Sequence, residues 1–117
     1  MDWIHLNNIE KLDELKRDSE KECVLLFKYS PRCSINMIIR NMLERDWNKQ
    51  AMSDIKTYFL NVIANRDLSS KAASEFNVVH QSPQAIIIYK GNSIYDSSHG
   101  RIRYEELCKV LLKKENC

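Results

Sequence analysis

Hydrophobic positions along this chain follow two spacings. In some stretches apolar residues recur every three or four places, and in others they run together for about five. Ile9, Leu12 and Leu15 mark one face of a first helix, Asn7 through Ser19, with Asn7 and Glu10 in the relation of a capping box. Cys23 through Phe27 is a continuous apolar run, as expected of a strand buried on both faces. From Cys33 to about Ala51 the helical spacing returns. Ile35, Ile38, Ile39, Met42, Leu43 and Trp47 fall at i, i+3, i+4, i+7, i+8 and i+12, one continuous stripe. Thr57 to Val62 reads as a further strand, and Leu68, Ala72 and Phe76 mark a short helix. Ala85 to Tyr89 and Ser93 to Ser97 flank Lys90-Gly91-Asn92 as a hairpin. A last helix carries Tyr104, Leu107, Cys108, Leu111 and Leu112 on one face, with Lys113 and Lys114 near its end, where cations suit the helix dipole. Trp3 to Leu6 adds a candidate first strand.

Alternating strands and helices followed by a hairpin and a helix predict an α/β fold, a mixed central sheet of four to five strands with helices on both faces. This is the order of the thioredoxin topology. Repeats, low-complexity tracts and linkers are absent, so residues 1–117 are expected to form one domain with a core of its own. Hydrophobic residues at 44% and charged residues at 29% are globular values. A net charge of +2 gives no electrostatic case for a nucleic-acid partner. No apolar run approaches membrane-spanning length, and Met1-Asp2-Trp3-Ile4-His5 lacks the basic start and apolar stretch of a secretion signal. The expectation is a cytoplasmic protein with no membrane partner.

Cys33 stands where the first strand–helix pair joins, in Tyr29-Ser30-Pro31-Arg32-Cys33-Ser34-Ile35-Asn36. Unpaired N–H groups and the positive end of the dipole at a helix start favour a thiolate, and the thiolate is the nucleophile. Pro31 helps stop the strand and Arg32 adds a positive charge. The third position after Cys33, where a resolving cysteine would form an internal disulfide, holds Asn36, which points to a one-thiol mechanism. Pro83, in Gln81-Ser82-Pro83-Gln84, is expected to be cis at the entry to a strand antiparallel to the one before Cys33, leaving the backbone of Ser82 free to pair with an extended substrate. His80 and His99 are candidates to flank the site. The hairpin returns His99 and Gly100 to the same end of the sheet, His99 to bind a carboxylate and Gly100 to allow close backbone approach. No carboxylate lies within Cys23–Tyr29 to act as a buried proton acceptor behind the thiol.

The remaining three cysteines read as bystanders. Cys23 and Cys108 lie on apolar faces and are expected to be core residues, and Cys117 ends the chain as an exposed thiol. A disulfide framework is not expected in a chain with a full core and no export signal. Zinc-finger spacing is absent, and no metal site is expected.

Phe27-Lys28-Tyr29-Ser30 ahead of Cys33, Ile35 after it, Val79-His80-Gln81-Ser82-Pro83-Gln84 and Ser98-His99 together resemble the YtxJ-like monothiol bacilliredoxins, from Trp3 to about Leu112. The resemblance implies a cytoplasmic, thioredoxin-folded thiol–disulfide oxidoreductase acting on bacillithiol mixed disulfides, with Cys33 as the active cysteine and Pro83 as the cis-proline. The family usually has Pro after the cysteine and Ser at the third position after it, where this chain has Ser34 and Asn36. The expected catalytic residue is Cys33, with substrate binding by Pro31, Arg32, Ser34, Asn36, Ser82, Pro83, His99 and Gly100. No tightly bound cofactor is expected; bacillithiol or another low-molecular-weight thiol is the co-substrate. S-thiolated client proteins are the expected partners, with a second small thiol or a partner disulfide reductase regenerating Cys33. Two other classes remain open: a non-catalytic peptide-binding domain of the same fold, and iron–sulfur binding as in monothiol glutaredoxins, with Cys33 from two chains and two small thiols as ligands.

Overall fold

A computed structural model describes residues 1–117. In chain order the elements are β1 (Trp3–His5), α1 (Ile9–Lys21), β2 (Val24–Tyr29), α2 (Ser34–Asp46), β3 (Thr57–Asn61), α3 (Arg66–Glu75), β4 (Gln84–Tyr89), β5 (Asn92–Ser98) and α4 (Tyr104–Leu112), with a 3-10 turn at His99–Arg101 before α4. The five strands form one sheet in the order β1-β3-β2-β4-β5. β1 and β2 pair with β3 in parallel, and β2–β4 and β4–β5 are antiparallel.

Side chains alternate across β2 and divide the core in two. Leu25, Phe27 and Tyr29 face Ile39 and Leu43 of α2 and Leu107 and Leu111 of α4. Val24 and Leu26 face the other layer with Leu12 and Leu15 of α1 and Ala72 and Phe76 of α3. Each fully buried Leu, Ile or Phe contributes roughly 1.5–3 kcal/mol relative to exposure. The five-residue apolar run in the sequence is therefore a central strand, covered on both faces.

The end of α1 also fixes the hairpin. Ser19 is fully buried; its carbonyl accepts from the Lys90 N–H at 2.7 Å and its Oγ accepts from the Gly91 N–H at 3.1 Å. Lys90 and Gly91 both have positive φ, +52° and +76°, the backbone of a two-residue type I′ turn. Gly91 supplies that conformation without strain.

Several local expectations are corrected. The cap of α1 is Asn8, whose side chain accepts from the Lys11 N–H at 2.8 Å, not Asn7. α2 stops at Asp46 rather than near Ala51, because Trp47 turns extended (ψ 121°) and the Asn48 side chain instead accepts from the Ala51 N–H in a separate turn. The apolar stripe of α2 is wider than the face it buries. Ile39 and Leu43 are core, while Ile38 is 53% and Met42 44% exposed. Cys117 is not a free thiol: it is bonded to Cys108, with Cα atoms 6.0 Å apart. Cys108 is buried as expected, and the disulfide returns the tail beyond α4 onto that helix. No helix is long and apolar enough to cross a membrane.

Candidate functional site

β2 ends at Tyr29, and Ser30-Pro31-Arg32 carries the chain over the sheet edge to Cys33, the N-cap of α2. Pro31, Arg32, Cys33 and Ser34 are all exposed. Cys33 makes no side-chain capping bond. It is one of two free cysteines; the other, Cys23, is buried, and that burial pushes its thiol above the usual range.

The second wall is the loop before β4. The Ser82–Pro83 bond is cis and Pro83 is buried. Lys28 pairs with Gln84 as the last pair of the antiparallel β2–β4 ladder, so the proline loop enters the sheet beside the end of β2. Asn36 ties these two segments together. Its Oδ1 accepts from the Ser30 N–H at 2.9 Å and from the Ser82 hydroxyl at 2.7 Å. Since a backbone N–H can only donate, this fixes the amide orientation. Asn36 has no exposed surface, and its Nδ2 is buried without a partner. The residue that replaces a resolving cysteine is thus the clasp between the thiol-bearing turn and the proline loop.

Gln84 braces that loop from below. It is buried, donates through Nε2 to the Val79 carbonyl at 3.1 Å, and accepts through Oε1 from the Gln81 N–H at 3.3 Å. Beside it lies Lys28, 1% exposed, whose Nζ is 2.6 Å from His80 Nδ1. Burial lowers the Lys28 ammonium to about 8, and desolvation followed by the Lys28 charge pushes His80 below its ordinary value. Sequence reasoning considered His80 only as a flank of the site and did not find this pair. A Lys in an otherwise apolar strand was the available signal.

Of the other expected residues, His99 returns to this edge. Its N–H donates to the Pro83 carbonyl at 3.0 Å, and its φ of +55° is a left-handed conformation uncommon outside glycine. Gly100 follows His99 in the 3-10 turn at that edge. A Cβ there would meet nothing within 4 Å, so the position does not require glycine for space. Gly100 lines one groove with Gln81, Ser98 and His99, and a second with Met42 and Ile102, between α2 and the start of α4. No group of three or more His, Cys, Asp or Glu side chains converges to hold a metal ion.

This arrangement, an exposed thiol at a helix start beside a cis-proline loop, agrees with the comparisons to known proteins. Residues 4–107 match the family described as monothiol bacilliredoxin BrxC. A solved structure described as a candidate oxidoreductase with a thioredoxin fold superposes with a TM-score of 0.75 at 28% identity, covering 91% of this chain and 90% of that one. The thioredoxin of Malassezia sympodialis gives 0.74 at 10% identity, over 96% of this chain and 90% of that one. The thioredoxin of Fasciola hepatica gives 0.68 at 14%, over 95% and 98%. The last two are similar in fold alone. With a thioredoxin-type sheet and a family match running from β1 into α4, the chain belongs to the monothiol bacilliredoxins and is a thiol oxidoreductase of that family.

Proposed function

We propose that the protein removes a low-molecular-weight thiol, bacillithiol in the first instance, from S-thiolated client proteins by a one-thiol exchange through Cys33. The observation that carries this reading is the contrast at the two ends of the first turn of α2. Position 33 presents an exposed free thiol, and position 36 holds a buried asparagine already engaged with Ser30 and Ser82. An internal disulfide across that turn cannot form.

The Cys33 thiolate attacks the small-thiol sulfur of the mixed disulfide. A Cys33–small-thiol disulfide forms, the bond to the client breaks, and the client thiolate leaves and takes a proton from water. A second small thiolate then attacks the small-thiol sulfur held on Cys33. Cys33 returns as thiolate and the symmetric small-molecule disulfide is released, to be reduced by a separate reductase. Each step needs an accessible attacking thiolate and a stable leaving thiolate. The role of Ser82 rests on its free main chain. Its hydroxyl is occupied by Asn36, but its N–H has no partner in the chain, which suits pairing with an extended client segment. Pro31, Arg32 and Ser34 are exposed around the thiol and are assigned to the same contact surface. Work of this kind belongs in a reducing cytoplasm, where the Cys108–Cys117 bond would be exposed to the same small thiols.

The test is intact mass after separate incubation with bacillithiol disulfide, glutathione disulfide and coenzyme A disulfide. One adduct per chain, fastest with bacillithiol disulfide and absent in Cys33→Ser, supports the reading. Equal rates with all three disulfides would remove the bacillithiol assignment.

A further inference from the structure

On the α3 side of the sheet a cavity of about 320 Å³ is lined by Val62, Ile63, Arg66, Ser69, Ser70 and His80. Its place in the fold follows from strand direction. β2 and β3 are parallel, so the chain leaves both at the same edge, toward Cys33 and toward Val62; the Val62 N–H donates to the Tyr29 carbonyl at 2.9 Å. β4 is antiparallel to β2 and starts at that edge, four residues after His80 and directly after the cis-proline. The cavity therefore opens at the Cys33 edge of the sheet.

Its polar lining has donors and no acid. Arg66 forms no ion pair or side-chain hydrogen bond within the chain, and Ser69 and Ser70 bring hydroxyls. Asp67, the one acid in the first turn of α3, does not line this cavity; it lines a neighbouring groove against the start of α1, which Arg66 also borders. Behind the lining sits an independent anomaly. Lys28 is 1% exposed, yet no carboxylate pairs with it and its one hydrogen-bond partner is His80 Nδ1. Buried charges are ordinarily paired. An ammonium can only donate, so Nδ1 accepts and the imidazole proton sits on Nε2, the far side of the ring. Lys28 thus holds His80 as an outward donor and sets an uncompensated positive charge beneath it. An anion in the cavity would complete this set.

We propose that this cavity is a subsite for a carboxylate of the low-molecular-weight thiol, with Arg66 and His80 as its anchors and Lys28 as the residue that positions His80. The proposal rests on the exchange reading for Cys33 and adds to it the charge of the small thiol that the protein selects.

The test compares Cys33 adduct formation from two small disulfides, dianionic 3,3′-dithiodipropionate and neutral 2-hydroxyethyl disulfide, at low salt, each rate divided by that of free 2-mercaptoethanol with the same disulfide. Wild-type protein should favour the dianion. In Arg66→Ala and in His80→Phe the anionic-to-neutral ratio should fall about tenfold or more, the size of one hydrogen bond to a charged group. A ratio equal in wild type and both variants would overturn the subsite. A second measurement keeps the two claims separate. Adipate is titrated while the His80 imidazole is followed by NMR. A saturable shift in wild type, lost in Arg66→Ala, supports the subsite even if Cys33 fails to exchange with any disulfide, in which case the exchange reading falls. No saturable shift overturns the subsite even if Cys33 exchanges freely.

Discussion

Asn36 and Lys28 show how single residues shape this site. The polar clasp of Asn36 contributes two hydrogen bonds, each about 0.5–1.5 kcal/mol net, offset by the cost of its own unpaired Nδ2. Asn36→Ala should therefore destabilise the fold by about 1–2 kcal/mol by urea unfolding. Because it frees the Cys33 turn from the Ser82 loop, it should also slow exchange more than it lowers stability at the assay temperature. Lys28 works the other way. Its proton is held at about 8 in the folded protein and near 10.5 in the unfolded chain, so between those values the unfolded chain binds more proton. Stability attributable to Lys28 should thus rise as pH increases from about 8 to about 10.5, and Lys28→Met should flatten that rise. Urea midpoints at pH 7.5, 8.5 and 9.5 for the two proteins check the sign. At neutral pH Lys28→Met should be neutral to stabilising, since an unpaired buried ion is replaced by a hydrophobe of similar length. The sequence placed Cys33, Asn36 and Pro83 in the site but not Lys28 with His80. Register explains why. Lys28 and His80 are fifty-two residues apart and meet only when β2 and β4 align, which no local pattern encodes.

At the scale of elements, the helix spacings were readable and their ends were not. Asn7 and Asn8 both satisfy the composition rule for a cap, and only the backbone decides between them. Asn8 has the extended conformation and makes the bond to Lys11. Asn8→Ala should cost about 1 kcal/mol and Asn7→Ala much less, by thermal or urea unfolding. The disulfide is the clearest departure. Cys108 and Cys117 are separated by nine residues, and the left-handed Lys113 at the end of α4 reverses the chain so that the tail returns to the helix. Spacing of that length carries no disulfide signature, and a chain able to build a full core gave no reason to expect one. Chain-entropy estimates for so short a loop give about 2–3 kcal/mol. Cys117→Ser should lower stability by up to that amount under oxidising conditions and have no effect once wild-type protein is reduced. Unfolding with and without a strong reductant, followed for both proteins, measures it.

For the whole molecule, element order and layering were legible because each strand and helix has its own period and the connections leave few ways to pack them. The apolar run at Cys23–Phe27 reads as a doubly buried strand and falls in the central strand Val24–Tyr29, and Lys90-Gly91-Asn92 reads as a hairpin whose turn is Lys90-Gly91. What the sequence could not show was how the sheet edge assembles Cys33, the Asn36 clasp and the proline loop from segments almost fifty residues apart. That assembly underlies the central claim, exchange through one thiol. Its most direct measurement is the oxidised intermediate itself. Protein trapped by acid during turnover with an S-bacillithiolated client is digested without reduction and mapped by peptide mass spectrometry. The account predicts one small-thiol adduct, on Cys33, with Cys23 unmodified and absent adduct in Cys33→Ser. A disulfide linking Cys33 to Cys23, Cys108 or Cys117 as the accumulating species would show a two-thiol mechanism and contradict it.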